Sequence, residues 1–400
     1  MLSSVLISDP ARLRALRGAW EGLVARSADD EPTLDPSWML PWWDVFGSEG
    51  KRELRSISFY DGDRLVGLAP LLSRRHVYRP AIPFRRLEMV GSGEHDSDET
   101  CADYLGLIAE KGREAEVASA FADALVSNVA GGWDELVLSS MNGDGVMPSL
   151  LSAALTARGL QVDVEEWSTA PYVPLPKTWD AYLASLHQTK RAQLRKSLRA
   201  FETWAGGPPV LTRVSSLSEL AEGKRVLMAL HRERWGSDGV FGSAKFRAFH
   251  DRVMPELHAK GALDLGWMSV RGEPVAAFYN LRWNGKLHFY QSGRRLDIPA
   301  DVRVGVTMHA YLIRSAIEAG MREYDFLAGA SQYKMALALA TRPLVKLRAV
   351  RPSTVETVRR ASERAYHEGK RLREWARKRD LSGAPPRLKT LLEKLLAARG

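Results

Sequence analysis

The chain has 400 residues, 45% hydrophobic and 26% charged, which at about 150 residues per domain means two to three folding units rather than a small module or a disordered chain. Eight of its nine net positive charges lie in residues 351–400, which hold 14 Lys and Arg against 6 Asp and Glu, so the body is near neutral and gives no case for DNA binding. A single cysteine, Cys101, excludes a disulfide framework and a Cys-rich zinc site; no apolar run of about 18 residues spans a bilayer, and residues 1–9 lack an export signal's basic and apolar regions, so a cytoplasmic setting is expected.

Residues 54–60 and 64–72 read as strands joined at Asp61-Gly62, a strong hairpin signal. A tyrosine-bearing strand is predicted at Ala102-Asp-Tyr104-Leu105, then a helix near 113–128 and a strand over 133–138. Pro171-Tyr-Val-Pro-Leu-Pro176 excludes helix and reads as an extended linker. Helices follow at 178–204, 217–235 and 243–260, the first ended by Gly206-Gly-Pro-Pro209. Then the opening plan returns. Residues 263–270 and 274–283 flank Arg271-Gly-Glu273, His288-Phe-Tyr290-Gln291 is a strand, 304–319 a helix and 321–326 another strand. The tail reads as a helix over 353–378. Beyond Gly383-Ala-Pro-Pro386 comes a short helix with Leu388, Leu391, Leu392, Leu395 and Leu396 on one stripe.

Gly132 and Gly320 stand where each copy's helix should stop, 188 residues apart, and Tyr104 and Tyr290 are 186 apart. Offsets that close predict a duplicated β–β–β–α–β unit; the alternative is two unrelated α/β domains.

The sequence lacks a phosphate-binding P-loop, a dinucleotide fingerprint, a zincin motif and a hydrolase elbow. The acidic run Glu94-His-Asp-Ser-Asp-Glu99 lacks the spacing of a calcium loop and reads as a solvated loop, so no metal site is expected. The second copy holds the stronger candidate site. Strand alternation puts His288, Tyr290 and Ser292 on one face. Gly293-Arg294-Arg295 reads as a turn, and Arg303-Val304-Gly305-Val306-Thr307 opens a helix whose peptide N–H groups and dipole suit an anion. With the three arginines this makes a candidate pyrophosphate cradle; the alternative is an ordinary helix start with solvated arginines. After the next strand, Asp325-Phe-Leu-Ala-Gly329-Ala-Ser-Gln-Tyr333-Lys334 places a phenol where it could protonate a departing thiolate.

The segment from about 187 to 334 resembles the acyltransferase domain of cellulose-biosynthesis-associated proteins, within the GNAT superfamily. The residues that carry the likeness are Lys190-Arg-Ala-Gln-Leu-Arg195, the strand pair around Gly272, Phe289-Tyr290-Gln291-Ser-Gly293, and above all Tyr324-Asp325-Phe326…Gly329…Tyr333-Lys334. The first half, with Gly67-Leu-Ala-Pro-Leu71 and Asp103-Tyr104, is similar to the degenerate copy such proteins carry in front. Tandem copies also resemble Fem-type aminoacyltransferases.

The resemblance implies an α+β or α/β chain of two tandem GNAT-like mixed-sheet domains plus a basic C-terminal helical tail. Its divisions are residues 1–170, a degenerate copy; 171–350, the acyltransferase domain with its basic linker helix; and 351–400, the tail. It implies acyl-CoA as co-substrate, or an acyl carrier protein as donor, with no permanently bound cofactor. The thioester is attacked directly by an acceptor amine. The family's glycine-rich phosphate loop is reduced here to Arg303-Val-Gly305-Val. Tyr333 takes the general acid's place, with Asp325 and then His288 as candidate bases; the alternative for Asp325 is that it caps or orients the Tyr-Lys turn. Arg294, Arg295, Arg303, Val304 to Thr307 and Lys334 are the donor-binding candidates, and Tyr290, Ser292, Asp103 and Tyr104 the substrate-binding ones. Bacterial ceramide synthases are similar proteins, so a long-chain base is the single expected acceptor. The alternatives are acylation of an exopolysaccharide or envelope sugar, Fem-like transfer from aminoacyl-tRNA, and a non-catalytic scaffold. The tail suits an anionic membrane surface on the inner face; the alternative is a helix docked on its own domain.

Overall fold

The computed structural model describes residues 2–377, with side chains described to residue 371; the second tail helix and its leucine stripe lie outside the described residues. The chain opens with β1 (Ser3–Ile7), α1 (Pro10–Ala15), α2 (Arg17–Ala25) and α3 (Pro36–Phe46). Strands β2 (Glu53–Leu54), β3 (Ser56–Asp61), β4 (Arg64–Ala69), β5 (Leu71–Tyr78), β6 (Ile82–Met89) and β7 (Ile108–Ala109) follow. Then come α4 (Glu114–Val126), β8 (Glu135–Asn142), α5 (Met147–Thr156) and β9 (Gln161–Pro174). The second half runs α6 (Trp179–Ser185), α7 (Gln188–Ala205), β10 (Val210–Arg213), α8 (Leu217–Trp235) and α9 (Ala244–Ala259). It ends with β11 (Leu263–Val270), β12 (Glu273–Trp283), β13 (Lys286–Arg294), α10 (Val304–Glu318), β14 (Glu323–Asp325), α11 (Gln332–Leu337), β15 (Ala340–Val350) and α12 (Thr354–Arg377).

The described strands make a four-stranded sheet, β1-β3-β4-β7, and an eleven-stranded one, β10-β11-β12-β13-β14-β9-β15-β8-β6-β5-β2. The order of the large sheet shows the duplication. In each half a hairpin strand pairs in parallel with the strand that follows its helix: β6 with β8, and β13 with β14. Each half's last long strand then crosses over. Strand β9 pairs with β14, β15 pairs with β8, and the two run antiparallel along their whole length. The exchange buries both strands' peptide groups between the halves and leaves neither as an edge. Pro171-Tyr-Val-Pro174, expected as linker, is the end of β9 in this exchange.

The parallel pairs correct the landmarks of the repeat. Arg86 faces Glu135 and Lys286 faces Glu323, so the intervening segment is a dozen residues longer in the first half. Tyr104 does not sit on a strand equivalent to that of Tyr290. It lies in the extra segment with left-handed backbone, φ 62°, and the true counterpart of β13 is β6, which Pro83 and its charged residues hide. Gly320 ends α10 with φ 67° as expected, but α4 turns at Asn128, φ 61°, and Gly132 ends no helix. Residues 178–204 form two helices, because the backbone is extended at Leu186 and His187 caps α7.

The halves share one aromatic core. Helix α3, capped by Asp35 through Ser37 N at 2.8 Å, lays Trp38 edge-on to Phe249 of α9 and Tyr290 of β13, at 5.0 and 5.5 Å between ring centres. Each such fully buried side chain contributes about 1.5–3 kcal/mol of hydrophobic stabilisation. At the other end α12 is clamped to β15. Glu356 accepts from Arg348 and Arg359 at 2.7–2.9 Å, and Arg360 reaches Asp163 of β9 at 2.6 Å. The start of the tail therefore docks on its own protein. Among the described residues no helix is long and apolar enough to cross a membrane.

Candidate active site

Pairing between β13 and β14 stops at His288 and Asp325, after three residues. Beyond that point the strands diverge, and peptide groups of 289–292 and 326–329 no longer face each other across a ladder. A cleft of about 830 Å³ opens there. One side is lined by Tyr290, Ser292, Leu327, Tyr333 and Lys334 of the second half; the other by Gly91, Glu94, Cys101, Asp103 and Ser140 of the first. Trp235 and Trp167, 50% and 47% exposed, stand at its wall. A second cavity of about 450 Å³ lies at the start of α10, lined by Arg294, Arg303, Val304, Gly305 and Val306. Arg234, Ser292 and Tyr333 line both cavities, so the two meet at these side chains.

Helix α10 starts abruptly. Arg303 precedes it with φ 48°, and among the described residues no side chain caps it. Its first turn, Val304-Gly-Val-Thr307, carries no carboxylate, so the dipole end and the arginines present a positive face to the second cavity. The expected turn at Gly293-Arg294-Arg295 is instead strand, since β13 pairs with β12 through Arg294. Gly293 is needed for a different reason. A Cβ there would sit 2.2 Å from His231 N, where α8 crosses the strand.

Not every donor-binding candidate reaches this cavity. Arg294, Arg303, Val304, Gly305 and Val306 line it. Arg295 turns to Asp297, with Nε donating to Oδ1 at 2.8 Å. The Thr307 side chain points into the core, fully buried. Lys334 lines the cleft, where its ammonium donates to the carbonyls of Phe326 and Ala328, both at 2.7 Å, and staples the turn after β14. Burial lowers that ammonium to about 8.

Tyr333 stands at the junction, stacked on His309 at 5.2 Å. Burial raises its phenol while the Arg234 guanidinium pulls the other way, so the hydroxyl keeps its proton at neutral pH. Arg234, in the last turn of α8, donates to Ser292 Oγ at 3.1 Å. No local pattern singles it out, because a basic residue at a helix end is ordinary.

The candidate bases lie elsewhere. Asp325 is fully buried behind the cleft. Its Oδ1 accepts from Leu327 N at 2.7 Å, and its Oδ2 from Tyr104 Oη at 2.7 Å and Arg342 at 3.1 Å. His288 is 1% exposed, 3.3 Å from Glu31 and 3.8 Å from Asp325. Burial and nearby Lys286 hold it neutral, down to about 3. Tyr104 belongs to the same cluster and not to the cleft wall. Arg342 of β15 completes it, paired with Glu323 at 3.1 Å and stacked over Tyr172 at 4.3 Å. This is a buried seam of charges across the halves: Glu31 meets Lys286, and Tyr104 meets Asp325 and Arg342. It fixes the turn that leads to Tyr333 and presents no group to a substrate. Of the four substrate-binding candidates, Tyr290, Ser292 and Asp103 do line the cleft. Cys101 lines it too, but burial pushes its thiol up to about 12, which leaves no thiolate to act as a nucleophile.

Comparison with known proteins agrees with this architecture. Residues 188–335 match the family model described as an acetyltransferase (GNAT) domain. The whole chain is similar in fold to FemX, with a TM-score of 0.54 at 12% identity over 86% of this chain and 96% of that one. It is also similar to a conserved protein of unknown function from Bacteroides thetaiotaomicron, with a TM-score of 0.51 at 13% identity over 84% and 97% of the two chains. At such identities the likeness is one of fold alone. No curated protein matches the chain in sequence. The molecule is thus a mixed α/β protein of two tandem GNAT-like units, and it is residues 188–335, most of the second unit, that are similar to an acetyltransferase (GNAT) domain.

Proposed function

We propose that this protein is an acyl-CoA-dependent N-acyltransferase whose second half carries the chemistry. The observation that carries this reading is the meeting of two cavities at Tyr333, Arg234 and Ser292. One has the positive start of α10 at its floor and suits the donor's pyrophosphate; the other is large and reaches both halves, as an acceptor requires. Arg294, Arg303 and the N–H groups of Val304 and Gly305 hold the phosphates. The thioester then lies at the split between β13 and β14. The acceptor amine attacks it directly, and Tyr333 gives its proton to the departing sulfur. A carrier protein's phosphopantetheine arm would meet the same split.

The acceptor we favour is a long-chain amine, a sphingoid base in kind. The support is the pair of half-exposed tryptophans, Trp167 and Trp235, at the cleft; large exposed apolar side chains around a cleft mark a surface that covers apolar ligand. A basic tail on an anionic membrane would bring such an amine to the site, and residues 378–400 are the part to delete in testing it. The first experiment is a thermal melt with free CoA, acetyl-CoA and palmitoyl-CoA. A thioester at 100 times its dissociation constant stabilises the fold by about 2.7 kcal/mol. A palmitoyl-CoA shift well above the acetyl-CoA shift is expected. Equal shifts would move the acceptor to a sugar or small amine, and no shift with any of them would sink the donor assignment.

A further inference from the structure

With Asp325 and His288 behind the strands, the proton shed by the acceptor nitrogen needs another destination. Among the described residues four carboxylates line the cleft, all from the first half: Glu94, Asp96, Glu99 and Asp103. Asp96 and Glu99 are exposed. Glu94 is committed to its own loop, with Oε1 accepting from both Thr100 N and Thr100 Oγ1 at 2.6 Å and Oε2 facing Trp42 Nε1 at 3.3 Å. Asp103 is placed differently. It is 5% exposed, in the cleft wall, and its Oδ2 accepts from Ala328 N at 2.7 Å. That bond ties it to the turn between β14 and α11, the turn that delivers Tyr333. Its Oδ1 accepts from Ser140 Oγ of β8 at 2.7 Å, and Thr33 Oγ1 holds its backbone carbonyl at 2.7 Å. The carboxylate is fixed in position from both halves with half of its acceptor sites still open, since an ionised carboxyl has about four.

We propose that Asp103, a residue of the first half, is the base of the reaction carried out in the second. The inference rests on the acyl-transfer reading above. The acceptor's lone pair forms the C–N bond to the thioester carbonyl carbon. As that bond forms the nitrogen becomes acidic, and one proton passes to Asp103. The C–S bond breaks with its electron pair on sulfur, which takes the Tyr333 proton. Amine and thioester become amide and thiol, and exchange with water resets Asp103 and Tyr333. The titratable groups around Asp103 are Lys334 on α11, Asp325 at the end of β14, Tyr290 on β13 and Cys101 in its own loop. Burial lifts Asp103 to about 6, against the pull of the Ala328 and Ser140 hydrogen bonds. It is therefore ionised at neutral pH and more basic than a surface carboxylate, as a general base needs to be.

The test is thiol release from palmitoyl-CoA with sphinganine, and from acetyl-CoA with glucosamine, between about pH 5 and 8. Wild-type kcat/KM should fall tenfold per unit below about pH 6, where Asp103 gains a proton. Asp103→Asn should lose about 10²-fold or more in kcat, keep its KM for the thioester, and lose that acid limb. Because Asp103 is buried and an Asn amide has one acceptor oxygen where the carboxylate has two, Ser140→Ala serves as a second variant. It removes a bond to the charged form, so its acid limb should move to higher pH with the limb itself retained. An Asp103→Asn enzyme with the wild-type limb, or a Ser140→Ala limb that has not moved, would overturn the assignment while leaving acyl transfer intact. A wild-type chain that releases no thiol from either pair overturns the acyl-transfer reading, and this inference with it.

Discussion

In the first half, the gap that opens where β6 and β8 part is filled by the chain itself. Asp103 bonds Ser140 of β8, the ideal Cβ of Gly91 would lie 3.6 Å from Leu105, and that of Gly106 would lie 3.7 Å from Met141. In the second half, the matching gap between β13 and β14 stays open as the cleft. The helix starts differ in the same sense. Helix α4 has Glu114 and Glu116 in its first turn, and Gly112 N donates to Glu114 at 2.8 Å; α10 has no acid there. A carboxylate at a helix start satisfies the end that a phosphate would otherwise occupy. One topology has thus been closed in one copy and kept open in the other. The segment that closes the first copy also supplies a wall of the open one.

The sharpest way to break this asymmetry is to remove the group at the junction. Tyr333→Phe should lower thiol release about 10²–10⁴-fold with the thioester-induced melting shift unchanged, as expected for a lost general acid. Retained turnover would take the chemistry away from the second copy. Next is the seam that joins the copies. Arg342→Met leaves Glu323 and Asp325 buried without their cation. Breaking a buried pair from one side costs about 3–5 kcal/mol, so the melting temperature should drop by many degrees. A variant as stable as wild type would mean that the exchanged strands and the shared aromatic core hold the halves together without the seam.

The helix starts can be exchanged in kind. Gly305→Glu gives α10 the acidic first turn of α4. Among the described residues a Cβ there would meet the Arg294 side chain at an ordinary 3.5 Å, so the fold should survive. The charge should remove most of the roughly 2.7 kcal/mol shift produced by a saturating thioester. Glu114→Gln in the first copy should neither create nor weaken that shift, because its split is filled. Binding that survives Gly305→Glu would place the donor away from α10.

What the sequence made legible follows from how local the cause is. The helix predicted at 217–235 is α8 residue for residue, since its apolar spacing and the glycine after it are local signals. The start of α10 and the place of Tyr333 at the start of α11 are readable because a helix start and a strand-turn-helix are short patterns. The exchange of β9 and β15 was not, because strand pairing across well over a hundred residues leaves no mark in either strand. Asp325 misled for the same reason. Its neighbours in sequence place it at a turn, while Arg342 and Tyr104, which occupy its carboxylate, come from a later strand and the other half. Asp103 stands out in the sequence only through a resemblance, and its place in the same cleft as Tyr333 emerges only when the halves are assembled.

The smallest expected effect separates the halves by acid. Four histidines of the second half are buried neutral: burial lowers His231 to about 4, and His250, His288 and His309 to about 3. In the first half only His76 is shifted this way among the described residues, to about 4. A histidine depressed in the folded state gives stability that is full above its unfolded value near 6.5 and is lost as pH falls toward the folded value, because only the unfolded chain takes up the proton. Buried carboxylates act oppositely. Glu31, pushed up to about 7 by burial, and Asp103, near 6, favour the folded state as they protonate. Both lie in the first half. Between pH 7 and 5 the second half should therefore lose stability relative to the first. Amide hydrogen exchange, corrected for the intrinsic rate that falls with pH, is the measurement: strands β11–β13 should lose more protection on acidification than β3 and β4, which lie in the other sheet. His250→Phe should reduce that difference. Its ring nitrogens face Tyr290 Oη at 3.0 Å and Tyr279 Oη at 3.3 Å, so the neutral ring is what the site is built around. A uniform loss of protection across both sheets would mean that the exchanged strands make the two copies one cooperative unit, and the asymmetry would then be confined to the site.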